Sequence, residues 1–267
     1  MSFEIGDVSS MIVQRSLTSA TKNVEASMVK LSYGKQMTAM ENAANLIISE
    51  SLESQRRGSM QAIQNAQDGL NMLSTAEAGL SSTSENLQRV RELTIQRENE
   101  TYNENDRAAI DSEINVLMEE IDRVSAATSY NDINLLDGSS GDVSLQIGAN
   151  SEEATNVLNV SGVLKSSSSS DLDLDPSAND FLDKIDAAIS EVSGRRSDIG
   201  AAQNRLESAI DSLYVQNENI TASQSRIIDT DIATEVSKLT QNQILQEASV
   251  SLLAQANQSA SIASILL

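Results

Sequence analysis

Cysteine and histidine are absent from the 267-residue chain, and proline occurs once, at Pro176. Without thiols there are no structural disulfides and no thiolate chemistry. Without imidazole the histidine-based metal sites and the common nucleophile–histidine triads are excluded. Folding then waits on no disulfide and on at most one prolyl bond, a property that suits a chain unfolded, threaded and refolded elsewhere. Aromatic residues make up 2 %, with no Trp and two Phe, too few for a thick globular core. Leu, Ile, Val, Ala and Met remain, and these build thin seams between helices. Basic residues are scarce: 18 Lys and Arg stand against 39 Asp and Glu, a net charge of −21. No basic patch offers phosphate neutralisation, so neither nucleic acid nor an anionic membrane surface is an expected partner. No run of about 18 apolar residues is present to span a bilayer. The opening MSFEIGDVSS lacks the basic start and apolar core of a signal peptide.

The charge is unevenly spread. Residues 1–40 carry Arg15, Lys22, Lys30 and Lys35 against Glu4, Asp7 and Glu25, and residues 231–267 carry Lys238 against Asp231, Glu235 and Glu247. Both ends are nearly neutral and the acidity lies between them. Two readings stand: an ordinary solvated acidic surface, or termini that pack densely against copies of themselves, where repeated charge would repel.

What is present is helix. Val13, Leu17, Ala20, Val24, Met28 and Leu31 recur at spacings of three and four and predict a first helix over 4–32, stopped at Ser32–Tyr33–Gly34. A second long helix is predicted from near Asn42 to about Arg97, with Ile63, Ala66, Leu70, Leu73, Ala76, Leu80, Leu87 and Val90 as its stripe. Gly58, Gly69 and Gly79 weaken it, either to admit a close partner or as tolerated substitutions. The polar run at 98–106 is a loop in which Asn105 or Asp106 can cap a shorter helix carrying Ile110, Ile114, Leu117, Ile121 and Val124, antiparallel to its predecessor. Val143, Leu145 and Ile147 alternate as a strand does, and Val157–Val160 can return after the turn at 148–153, giving a β-hairpin near 141–162. The stretch 166–176, SSSSSDLDLDP, reads as a linker.

The clearest pattern lies at 185–227. Ile185, Val192, Ile199, Leu206, Leu213, Ile220 and Ile227 recur every seventh residue; Ile189 and Ile210 share the second seam position with Arg196, Gln203, Asn217 and Gln224. Such a repeat holds one stripe toward a partner along a supercoil. The polar interruptions either set register or mark solvent-facing gaps. Asp229 and Thr230 break the last two segments and can cap a final helix over 231–266, lined by Ile232, Val236, Leu239, Leu245, Leu252, Leu253, Ala256 and Ile262 and ending in Ile265, Leu266 and Leu267. Helical halves split between the two termini must bring the ends together. The expected fold is therefore mainly α: an elongated antiparallel coiled-coil rod with a small β-hairpin, its N- and C-terminal helices paired.

No catalytic constellation is found. The pairs Glu119–Glu120 and Glu152–Glu153 fall on exposed faces or turns, DLDLD at 171–175 lacks a calcium-loop pattern, and no Gly-rich phosphate loop is present. No enzyme activity, cofactor or metal is expected.

Several longer segments resemble the bacterial flagellins: NLQRVRELTIQ at 86–96, EINVLMEEIDRVSAATSYNDINLLDG at 113–138, LQIGAN at 145–150, AAISEVSGRRSDIGAAQNRLESAIDSL at 187–213 and DIATEVSKLTQNQILQEASVSLLAQANQ at 231–258. The resemblance implies a structural subunit of the flagellar filament for motility. Residues 1–43 with 230–267 would form an inner core domain, and 44–180 with 181–229 an outer core rod, with 166–176 standing where longer relatives insert surface domains. It implies type III export to the cell exterior, an export chaperone at the C-terminal helix, a filament cap protein, a hook-associated junction protein and other copies of the chain as partners. Self-assembly would bury Val13, Leu17, Val24, Leu31, Val236, Leu239, Leu252 and Leu253. The family epitope for Toll-like receptor 5 maps onto Gln88, Arg89, Leu93 and Glu113. The match weakens over 32–48, where Tyr33, Lys35, Gln36 and Glu41–Asn42 replace familiar types. The alternatives are a hook–filament junction protein and, in a different class, a signalling coiled coil.

Overall fold

The computed structural model describes residues 2–36, 43–141, 143–150, 156–160, 162, 164–176, 178 and 180–265, with side chains described between 10 and 258. The apolar ending at 262–267, the acidic part of the 148–153 turn and residues 37–42 of the divergent segment lie outside the described side chains. Among the described residues there are five helices: α1 (Ser2–Tyr33), α2 (Ala43–Arg97), α3 (Glu104–Ala127), α4 (Phe181–Ile228) and α5 (Ile232–Ile265). The short strands are β1 (Ser129–Tyr130), β2 (Ile133–Asn134), β3 (Ser144–Gln146) and β4 (Val157–Asn159). The chain divides into two compact units. A terminal unit takes Met1–Glu53 and Ile220–Leu267, and a middle unit takes Ser54–Asn219. The division falls inside α2 and α4.

The middle unit holds the hydrophobic core. The stripe of α2 is buried from Ile63 to Val90, with Leu70 half-buried, and α3 adds Ile110, Ile114, Met118, Ile121 and Val124. The seven-residue repeat of α4 supplies Ile185, Val192, Ile199, Leu206 and Leu213. Burying each such side chain contributes roughly 1.5–3 kcal/mol. Polar bonds give the register of α4 against α2: Arg91 to Asp186 at 2.6 Å, Arg196 to Glu77 at 2.7 Å and Gln203 to Ser74 at 3.4 Å. Positions rise along one helix as they fall along the other, so the two are antiparallel. Arg196 and Gln203, two of the interruptions in the repeat, are therefore cross-helix rungs and not open gaps.

Local details depart from expectation in three places. The cap of α3 is Asn103, whose side-chain oxygen accepts from the Asn105 and Asp106 backbone N–H groups while the Asp106 carboxylate accepts from the Asn103 N–H. Asp106 is thus the reciprocal member of a capping box, not the cap itself. An additional hairpin pairs β1 with β2, turning on Asn131 and Asp132, whose φ values of 50° and 62° suit a primed turn. The hairpin expected from the alternation is β3–β4, with Leu145 opposite Leu158. The stretch 166–176 has no helix or strand but is packed. Leu172 and Leu174 are buried, the Ser167 N–H donates to the Leu136 carbonyl at 2.8 Å, and Ser169 N–H and Oγ donate to Asp122. Arg195, nearly buried, donates to the carbonyls of Lys165 and Ser166 and pairs with Glu191. The serines are held by backbone and carboxylate bonds, which a compositional reading cannot register.

Gly79 settles one open question about α2. A Cβ there would lie 2.7 Å from both Leu136 Cδ1 and Thr128 Oγ1. The close approach is made by the segment flanking the first hairpin and not by a second helix.

Candidate functional site

The terminal unit is built on the packing of α1 against α5. The N-terminal end of α5 is capped by Asp231, whose carboxylate accepts from the backbone N–H groups of Ala233 and Thr234 and from Thr234 Oγ1 at 2.7 Å. These bonds, that from the Thr234 hydroxyl foremost, hold the Asp231 carboxyl below the usual carboxylate range. Asp229 and Thr230 instead face the turn after α1: Lys35 and Asp229 form a β-bridge, and the Thr230 N–H donates to the Gly34 carbonyl at 3.0 Å. Gly34 ends α1 with φ +66°, the left-handed conformation expected of a helix stop.

The two helices are antiparallel. Ser27 Oγ donates to Glu235 Oε1 at 2.7 Å, and Gln246 Nε2 donates to Thr21 Oγ1 at 3.2 Å, so lower positions on α1 meet higher ones on α5. On α1 the covered stripe is Val13, Leu17, Ala20, Val24, Ser27 and Leu31. Met28, expected on it, is 50 % exposed, and Ser27 takes that place. On α5 the covered positions are Glu235, Leu239, Asn242, Gln246, Ser249, Leu253 and Ala256, a regular four–three alternation filled mainly by polar and small residues.

The apolar residues of this unit lie largely outside. Met11, Ile12, Met28, Val29 and Tyr33 of α1, Ile47 and Ile48 of α2, and Ile232, Val236, Ile244, Leu245, Val250 and Leu252 of α5 are exposed, Ile244 by 60 % and Leu252 by 55 %. Val236, Ser237, Thr240, Gln241, Ile244 and Leu245 line a shallow apolar groove on α5. Of the residues expected to line this helix, Ile232, Val236, Leu245 and Leu252 are on the open side, whereas Leu239 and Leu253 are half-covered. Of the expected assembly residues, Val24 is buried within the pair and Val13, Leu17 and Leu31 are partly covered there. Ile244, Val250, Met11 and Ile12, also exposed, were not singled out from the sequence. Their signal was present as apolar residues off the main stripe.

The second candidate site lies in the middle unit. Arg89 donates from Nε and Nη2 to Glu113 Oε1 at 3.2 and 2.8 Å, and from Nη1 to Glu92 at 3.2 Å. The Glu113 bond is the main reason that the guanidinium pKa is raised. Gln88, Arg89 and Glu113 lie on the surface of α2 and α3, while Leu93 is 1 % exposed and belongs to the core beneath.

A helix pair that leaves so many large apolar side chains exposed on its outer faces is suited to burial by further copies, the mark of a self-assembling helical structural protein. Comparison with known proteins gives the family. Residues 7–141 match the bacterial flagellin N-terminal helical region and residues 182–266 the bacterial flagellin C-terminal helical region. The flagellin of Halalkalibacterium halodurans is 41 % identical over 239 residues, covering 88 % of this chain and 88 % of that protein. The flagellin of Bacillus subtilis is 37 % identical over 279 residues, covering 91 % and 92 %, and flagellin FlaB1 of Treponema pallidum is 36 % identical over 281 residues, covering 97 % and 98 %. A solved structure of a putative flagellar hook-associated protein from Vibrio parahaemolyticus superposes with a TM-score of 0.58 at 15 % identity, over 71 % of this chain and 100 % of that one. That likeness concerns the fold alone, and the junction-protein alternative is correspondingly weaker. The chain belongs to the bacterial flagellins, structural proteins that polymerise into the flagellar filament.

Proposed function

We propose that the outward apolar faces of α1 and α5 are the surfaces that pack against neighbouring copies in the filament. One observation carries this reading: against the apolar stripe of α1, α5 turns mainly polar and small residues inward and leaves Ile232, Val236, Ile244, Leu245, Val250 and Leu252 in solvent. Each such side chain taken from water in a polymer contributes roughly 1.5–3 kcal/mol. The near-neutral ends fit, because close packing of copies would multiply any repeated charge. On this reading residues 1–43 and 230–267 act as an inner core domain and residues 44–229 as an outer one. The subunit leaves the cell by flagellar export, bound beforehand by a chaperone at α5, and adds beneath a cap on a filament joined to the hook by junction proteins. No catalytic role is proposed. Gln88, Arg89 and Glu113 supply an accessible polar cluster for Toll-like receptor 5 on the free subunit, with Leu93 supporting it from the core.

The test is polymerisation. Filaments dissociated by heat, cooled and seeded with fragments regrow from the intact chain. Val236→Asp with Leu252→Asp puts two charges on the outer face and should leave the chain in the supernatant with its helical circular dichroism intact. Normal regrowth of this double variant would remove the outer face from the assembly surface.

A further inference from the structure

Two Asp–Gly steps occur in the chain, at Asp68–Gly69 and Asp137–Gly138. We propose that Asp137–Gly138 is the site at which the backbone of this subunit is liable to isomerise to isoaspartate, and that Asn134 and Ser139 guard it by holding the Asp137 side chain.

The reaction needs no reagent but water. The Gly138 backbone nitrogen loses its proton and bonds to Asp137 Cγ. A side-chain oxygen leaves as water and a succinimide ring closes. Water then reopens the ring. Where it cleaves the bond to the original main-chain carbonyl, the chain runs on through Cβ and Cγ, longer by a methylene and unchanged in mass. A glycine after the aspartate hinders this attack least, and here the fold asks for glycine. Gly138 has φ +78°, and a Cβ on it would lie 3.1 Å from Ser166 Cβ. At the same place the Asp137 carboxylate is held by both oxygens. Oδ1 accepts from the Ser139 N–H at 2.8 Å and from its hydroxyl at 2.6 Å, and Oδ2 accepts from Asn134 Nδ2 at 2.7 Å. These bonds resist rotation of Cγ onto the nitrogen. They also favour the ionised carboxylate, which lacks the proton a departing oxygen needs. The carboxyl accordingly lies below its usual range, the Ser139 hydroxyl being the main cause. Asp68–Gly69 is the internal contrast, because it lies within α2, where the helix ladder engages the amides and fixes the backbone. Damage at Asp137 would spread. The Leu136 carbonyl before the step accepts from the Ser125 hydroxyl and from the Ser167 N–H, and Gly138 after it lies against Ser166. An extra methylene between these contacts cannot leave both in place, so the packed stretch 166–176 would lose an anchor.

The test ages the full chain in warm, near-neutral buffer. Isoaspartate is read by methyl transfer from S-adenosylmethionine with an isoaspartyl methyltransferase and is located by electron-transfer fragmentation of peptides. In the parent chain both steps should stay near background. Asn134→Ala with Ser139→Ala should accumulate isoaspartate at Asp137 several times faster, with Asp68 still at background. Both chains aged in guanidinium should isomerise at both steps and at equal rates, because the guard acts only through the fold. Where the double variant has lost its helical circular dichroism, Ser139→Ala is compared with Ser139→Thr. Alanine should raise the rate at Asp137, and threonine, which keeps the hydroxyl, should not. An unaltered rate at Asp137 in the folded variants overturns the proposal. So does an equal rise at Asp68, the sign of general loosening, and so does a folded parent chain that isomerises at Asp137 as fast as in guanidinium.

Discussion

Gly79 and Gly194 occupy helix interiors of the middle unit and answer opposite requirements. Any Cβ at Gly79 meets Leu136 and Thr128, and Thr128 is itself tied by its hydroxyl to the Val124 carbonyl at 2.7 Å. At Gly194 a Cβ meets nothing within 4 Å. Gly79→Ala should lower stability by about 1–3 kcal/mol through overpacking, while Gly194→Ala should raise it by about 0.8–1 kcal/mol through helix propensity. Urea denaturation followed by circular dichroism separates the two, and equal shifts would refute the close approach at Gly79. Titration supplies a second residue-level expectation. The carboxyls of Asp231, Asp186, Asp171 and Asp137 all lie below their ordinary range, held by hydrogen bonds from Thr234, Arg91, Ser166 and Ser139 respectively. A depressed folded-state pKa contributes stability that is present above about pH 4 and is lost as pH falls through the folded value. Helicity should therefore fall on acidification below that point. Asp231→Asn, which still caps but does not titrate in this range, should show a smaller acid loss, and an identical acid profile would exclude Asp231 from the effect.

Among the elements, α4 was the most legible because its burial obeys one rule over its whole repeat: an Ile, Leu or Val every seventh residue can only face a partner. Leu206 is fully buried, and Leu206→Ala should destabilise by about 2–5 kcal/mol. Leu213→Asp would place a carboxylate in the same seam and should act more severely. Unchanged melting of both would discredit the repeat as the core of this helix. The ends of α3 show a finer limit. Asn103, Asn105 and Asp106 are all acceptable caps by type, and only the backbone angles at Asn103 (φ −77°, ψ 172°) select among them. Asn103→Ala should cost about 1 kcal/mol, readable in the same denaturation experiment. The β1–β2 hairpin escaped notice because strands of two residues have no alternation to detect. Its available signal was the Asn131–Asp132 pair, two residue types that tolerate positive φ.

For the molecule as a whole, the proposed assembly faces of α1 and α5 are separate from the core of the middle unit. Removal of residues 231–267 should abolish regrowth of seeded filaments while leaving the middle unit able to melt cooperatively, since its core lies entirely within residues 62–213. Charge adds a dependence on salt. Copies carrying −21 each repel, and raising salt from about 0.01 to 0.15 M shortens the screening length from about 30 to about 8 Å. Seeded growth should accelerate over that range, and deceleration would mean that ion pairs between copies outweigh net repulsion.

The sequence by itself determined that the chain is helical, paired end to end, free of thiol and imidazole chemistry, and of the flagellin family, because periodicity and motif order are properties of the chain alone. Only the tertiary structure decided which side of α5 is inside. Apolar residues lie on more than one side of that helix, and several of them, Ile244 and Leu252 among them, face solvent instead of turning inward. The buried Glu235, matched by the hydroxyl of Ser27 some two hundred residues earlier, reveals the covered side, and such a pairing exists only once the two ends have met.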